Sequence, residues 1–128
     1  MNQIITLLYV AMGGAVGCCS RYLISELMAF LFGKNFPYGT LTVNVVGGLL
    51  MGILGALFQR EFFDNIDPYR QIIGLGFLGG LTTFSTFSMD SILLLQSGMF
   101  FKFCLNIILN VVLSLSACWV GFHLLFKN

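Results

Sequence analysis

Gly79-Gly80-Leu81-Thr82-Thr83-Phe84-Ser85-Thr86-Phe87-Ser88 lies inside an uncharged run that extends from Gln71 to Met89. A run of this kind is about long enough to cross the roughly 30 Å hydrocarbon core of a bilayer. Its middle is poor helix material, since each glycine alone costs roughly 1 kcal/mol relative to alanine. Non-helical backbone at membrane depth is tolerated only where protein buries it or a wet cavity adjoins it. The pattern predicts a helix broken near the middle of the membrane, with carbonyls, amides and hydroxyls gathered at the break. Broken helices of this kind commonly bind ions.

Outward from this stretch, the rest of the chain is equally apolar. Of its 128 residues, 58% are hydrophobic and only 9% are charged, and the mean hydropathy is +0.95. These values exclude an ordinary soluble domain and predict an all-α integral membrane protein. Four apolar segments are expected, at about residues 4–32, 39–58, 71–96 and 100–126. Each is long enough to span at 1.5 Å rise per residue. They make residues 1–128 a single four-helix transmembrane domain with the third helix broken, and the short connections leave all chemistry to the spans. Met1–Tyr9 has no basic residue, so a cleavable signal peptide is not expected. A net charge of +1 gives no reason to expect nucleic acid as a partner.

The basic residues divide evenly. Arg60, Arg70 and Lys127 fall on the side shared by the N-terminus, the second connection and the C-terminus. Lys34, Lys102 and Arg21 fall on the other; Arg21 lies about 26 Å along the first helix and can snorkel outward. The positive-inside rule therefore sets no orientation. A chain without a preference can insert both ways and pair as an antiparallel homodimer. Cys18, Cys19, Cys104 and Cys118 form no C-x-x-C pair and have only His123 as a possible co-ligand. They read as small unpaired fillers rather than metal ligands.

Several polar residues stand where lipid makes them costly. Asn44, six residues into the second span, either bonds a neighbouring helix or offers its two N–H donors to a small anion. Thr40, one turn earlier, shares its face. Asn106, Asn110 and Ser114 recur every fourth residue, which gives an interhelical hydrogen-bond seam or one wall of a conduit. Small-xxx-small spacings at Gly13/Gly17, Gly48/Gly52 and Gly76/Gly80 let helix backbones approach closely. Gly79 and Thr82 can expose backbone carbonyls at the break, and hard cations take oxygen ligands.

The stretch Gly79–Ser88 resembles the signature of the Fluc (CrcB) family of bacterial fluoride channels. Two further blocks match in the family's order: Pro37-Tyr38-Gly39-Thr40-Leu41-Thr42-Val43-Asn44-Val45-Val46-Gly47, and Gly13-Gly14-Ala15-Val16-Gly17-Cys18-Cys19-Ser20-Arg21-Tyr22. The resemblance implies an antiparallel, dual-topology homodimer in the bacterial inner membrane that exports fluoride passively and so lowers its toxicity. It implies that Asn44, Phe84 and Phe87 line the fluoride path. From their placement on the spans Thr40, Ser85, Asn110 and Ser114 are expected to contribute, and Arg21 either anchors at the interface or sits in a vestibule where it raises the local anion concentration. It also implies a structural, untransported sodium ion on the dimer axis, held by the Gly79 and Thr82 carbonyls of both subunits. The positive edge of an aromatic ring can face an anion without trapping it, and conduction needs binding weak enough to release. Asn106 departs from the aromatic or hydroxyl residue associated with that end of the path, and Asp90 is a poor guide for anions.

A small multidrug-type proton-coupled exporter is the main alternative. It requires a membrane-embedded carboxylate, yet the first span has no acid before Glu26 and the second and fourth have none. The chain carries no nucleophile–base or metal set that would suggest an enzyme.

Overall fold

The computed structural model describes residues 2–60, 68 and 70–125, and every regular element among them is helical. Helix α1 (Gln3–Phe32) opens on Asn2, whose side-chain oxygen accepts the Ile4 N–H at 2.9 Å. It stops at Gly33, whose φ of 85° is a conformation that favours glycine. Helix α2 (Tyr38–Gln59) begins directly after Pro37. The third apolar stretch is composite: a π-wound segment α3 (Arg70–Leu78), a single α-turn α4 (Gly79–Leu81) and helix α5 (Phe84–Gln96). A turn with Gly98 at φ 77° leads into α6 (Phe100–Leu124).

Four stretches, Gln3–Phe32, Tyr38–Gln59, Arg70–Gln96 and Phe100–Leu124, are long and apolar enough to cross a membrane. The chain is thus a multi-pass membrane protein. The first three match the expected segments to within a residue. The expected end of the fourth, the α2–α3 connection apart from residue 68, and Lys127 all lie outside the described residues.

The glycines explain the packing. Helix α1 lies chiefly against α3 and α4, and α2 chiefly against α6. A β-carbon on Gly13 would overlap the Ile72 carbonyl, and one on Gly17 would overlap that of Phe77. The second pair of helices is notched from both sides. Gly52 sits on the Cys118 carbonyl, while Gly121 sits on that of Leu49. Small residues that let backbones touch are the usual basis of helix association in lipid, where apolar burial gives no driving force. Between these contacts lies a small core of Val43, Leu54, Leu78 and Leu81, flanked by Ile24, Phe58, Ile73 and Phe77.

The third stretch departs from helix at Thr82 and Thr83, not at its two glycines. Gly79 and Gly80 are α-helical. Thr82 (φ −82°, ψ 158°) and Thr83 (φ −152°, ψ 121°) are extended before α5 resumes. The reason lies in packing: Gly80 is needed where it stands, because a β-carbon there would come within 2.9 Å of the Gly14 carbonyl. The π winding of α3 has no counterpart in the expected pattern.

Candidate functional site

The two extended threonines are held by side chains rather than by a helical ladder. The Thr83 N–H would continue that ladder to the Gly79 carbonyl; instead it donates to Asn44 Oδ1 at 2.8 Å. Asn44 Nδ2 donates back to the Thr83 carbonyl at 3.1 Å. One amide thus pairs with both polar groups of a single residue. Thr83 Oγ1 accepts the Thr86 N–H at 3.0 Å and caps the N-terminus of α5. Thr82 closes α4: its N–H and its hydroxyl both donate to the Leu78 carbonyl, at 3.1 and 3.0 Å. A β-carbon on Gly47 would overlap the Thr82 methyl, so this glycine makes room for the break.

From Asn44 a chain of hydrogen bonds runs through the bundle. Its second Nδ2 proton goes to Asn110 Oδ1 at 2.9 Å. Asn110 Nδ2 donates to the Asn106 carbonyl and side-chain oxygen, each at 2.9 Å. Asn106 Nδ2 donates to Ser91 Oγ at 3.0 Å, and Ser91 Oγ donates to the Phe87 carbonyl at 2.8 Å. Asn106 and Asn110 are therefore an interhelical seam, and both donors of Asn44 are engaged within the chain. Ser114 continues the stripe but not the seam; its buried Oγ has no partner among the described residues.

Asn44, Phe84, Phe87, Asn110 and Ser114 line one groove of about 490 Å³, together with Thr82, Thr83, Gly47, Gly48 and Cys118. The Phe84 and Phe87 rings stand 5.5 Å apart, tilted at 57°. Phe87 is buried, whereas Phe84 is 78% exposed.

The remaining expected residues lie elsewhere. Thr40 is buried and donates to Asp90 Oδ2 at 2.7 Å. The pair lines a second cavity of about 540 Å³ with Thr86, Lys34 and Lys102. Lys102 is tied to the Asn35 carbonyl at 3.0 Å. Ser85 is exposed, its hydroxyl 3.3 Å from that of Thr83. Arg21 does not snorkel outward. Its Nε donates to the Gly80 carbonyl at 3.1 Å, and Nη2 lies 3.8 Å from Cys18 Sγ. The cysteines are free, and Cys18 and Cys19 are exposed on the bundle rather than filling its interior.

Among the described residues no three His, Cys, Asp or Glu side chains come together as a metal cluster. Oxygen donors at the break are instead backbone carbonyls. Gly79 is exposed, and its carbonyl lacks its helical donor because Asn44 has taken the Thr83 N–H. A β-carbon on Gly79 would meet only the Gly74 carbonyl, at 3.8 Å. Within the chain this glycine is not crowded.

The sequence also has close known relatives. Residues 8–122 match the family model described as CrcB-like protein, Camphor Resistance (CrcB). The chain is 63% identical over the full length of both chains to a protein of Vibrio campbellii named fluoride-specific ion channel FluC. Proteins of the same name are 58% identical in Vibrio cholerae, over 94% of each chain, and 58% identical in Photobacterium profundum, over the full length of both. A match across nearly the whole chain, with the signature stretch folded around Asn44, places this protein in the CrcB family.

Proposed function

We propose that the protein is a fluoride-selective channel, not an enzyme, that lets fluoride leave the cytoplasm down its electrochemical gradient across the bacterial inner membrane. The observation that carries this reading is the full-length identity to proteins named as fluoride-specific channels. The groove supports it: apolar rings at Phe84 and Phe87 face a wall that ends in the unpartnered Ser114 hydroxyl. Fluoride enters acidified cells as HF and ionises inside, so a passive leak is protective.

The working unit is an antiparallel homodimer with its helix breaks at the membrane midplane. Support comes from the even division of basic residues and from the exposed face that carries Leu75, Gly79 and Phe84. On this reading Phe84 finds its surroundings on the second copy.

A structural sodium ion fits the donor set at the break. The Gly79 and Thr82 carbonyls of two subunits would supply four uncharged oxygens, a suitable shell for a hard monovalent cation. When bound, the ion would supply a fixed positive charge between two anion paths. It would also stabilise the dimer by mass action. Replacing sodium by a large organic cation on both sides, after prolonged exchange, is expected to reduce fluoride flux at least about tenfold and to lower dimer stability. Unchanged flux would rule out the ion's role.

Fluoride efflux from liposomes holding the purified protein tests the main reading. Phe84→Ile and Phe87→Ile are expected to cut efflux by about tenfold or more while leaving the dimer intact. Wild-type rates in both variants would reduce these rings to packing, and no efflux from the wild type would dismiss the channel.

A further inference from the structure

We propose that Arg21 is a positioning residue: its Nε–H stands in for the missing helical donor to Gly80 and fixes the C-terminal end of α4. In an unbroken helix the Gly80 carbonyl would accept the Phe84 N–H. Here Phe84 lies beyond the two extended threonines, and Arg21 Nε donates to that carbonyl at 3.1 Å across 59 positions of sequence. The last carbonyls of a helix have no partner of their own, and in lipid an unsatisfied one is costly. A cation at a helix C-terminus is also favoured by the helix dipole.

The approach of α1 makes this bond possible. A β-carbon on Gly80 would come within 2.9 Å of the Gly14 carbonyl and 3.2 Å of the Cys18 N and Sγ atoms. With only hydrogen there, α4 settles against α1 at the level of Cys18, and Arg21, three residues further along α1, reaches the Gly80 carbonyl. Nη2 rests 3.8 Å from Cys18 Sγ, which holds the half-buried guanidinium in place. The carbonyls at the break are thereby divided. Arg21 takes Gly80 on the α1 side, while the carbonyl of the exposed Gly79 is left without its helical donor by Asn44. Arg21 acts on conduction through the shape of the break, not by drawing anions with its charge. The predicted effect on flux rests on the channel reading; the bond itself does not.

Three substitutions separate the two roles. Arg21→Gln keeps an N–H the same number of bonds from Cα as Nε but removes the charge. Arg21→Lys keeps the charge and places it one bond further on, and Arg21→Met keeps length with neither. Each is assayed by fluoride efflux from liposomes and by carbon NMR of protein labelled with 13C at glycine carbonyls and 15N at leucine nitrogens. That scheme reports only Gly48–Leu49, Gly74–Leu75 and Gly80–Leu81, and Leu49→Ile and Leu75→Ile assign the first two. Arg21→Met and Arg21→Lys are expected to lose flux by about tenfold or more and to shift the Gly80 carbonyl resonance. Arg21→Gln is expected to retain flux to within about threefold with the resonance near its wild-type position. Wild-type flux in Arg21→Lys with loss in Arg21→Gln would assign the effect to charge and overturn the proposal. An unmoved Gly80 resonance in every variant would do the same. If the wild type carries no fluoride, the channel reading fails while the resonance still decides the role of Arg21. If Arg21→Met does not fold, the comparison of glutamine with lysine decides it.

Discussion

Asn44→Leu is expected to abolish fluoride efflux, leaving less than about one hundredth of the wild-type rate. The substitution nearly conserves volume, so its effect isolates the lost amide. It strands the Thr83 N–H, the Thr83 carbonyl and Asn110 Oδ1, the three groups that Asn44 now satisfies. Each buried group left unpartnered costs about 1–3 kcal/mol, and a combined loss of about 3 kcal/mol corresponds to roughly 150-fold in an equilibrium. The extended pair Thr82–Thr83 then has no anchor on α2, and the groove between Phe87 and Ser114 loses its shape. Efflux from proteoliposomes measures the first effect, and thermal unfolding in detergent measures the second. Near-wild-type values for both would mean that the break holds itself.

Gly17→Val is expected to prevent assembly of the bundle. The new β-carbon would overlap the Phe77 carbonyl, a backbone atom that cannot swing aside. Overpacking costs about 1–3 kcal/mol even where side chains can yield, so the loss here is expected to be at least about 3 kcal/mol. Aggregation in place of a monodisperse peak on size exclusion in detergent is the readout. Gly79→Val provides the contrast. It meets only an ordinary contact within the chain, so a defect there, with the monomer still folded, identifies a second copy as the obstacle. A monodisperse, wild-type-like peak for Gly17→Val would show that the notches of α1 are unimportant.

Both results depend on features that differ in how openly the sequence displays them. Span lengths follow from apolar runs bounded by Lys34, Pro37, Arg60, Arg70 and Ser97-Gly98, and these bounds fall within two residues of the observed helix ends. The paired glycines at 79 and 80 signal an irregularity but not its position. Glycine is permissive, and whether it bends a chain or admits a neighbour depends on what lies opposite, here α1. Asn44 was legible as a costly polar residue. That its amide pairs with Thr83 across 39 positions is a tertiary fact with no local signature. Thr40 and Asn44 share a helix face, yet one turn of α2 separates two cavities, so Thr40 answers to Asp90 instead. The Arg21–Gly80 bond is hidden for the same reason: a basic residue near a span end ordinarily points to the interface.

The order of pairing along the chain bears on how the protein is made. Helix α1 finds most of its notched contacts in α3 and α4, and α2 most of its own in α6, although Gly39 of α2 also sits against Ser25 of α1. Neither early helix can complete its packing with the segment that emerges next from the ribosome. Both must wait in lipid as independently stable spans, the first stage of membrane protein folding, until distant sequence arrives. Long-range closure of this kind slows folding, and α2 is the last to be satisfied, since Cys118 and Gly121 lie in α6. Arrival of α6, rather than insertion of any one earlier helix, is the event that commits this bundle to its shape.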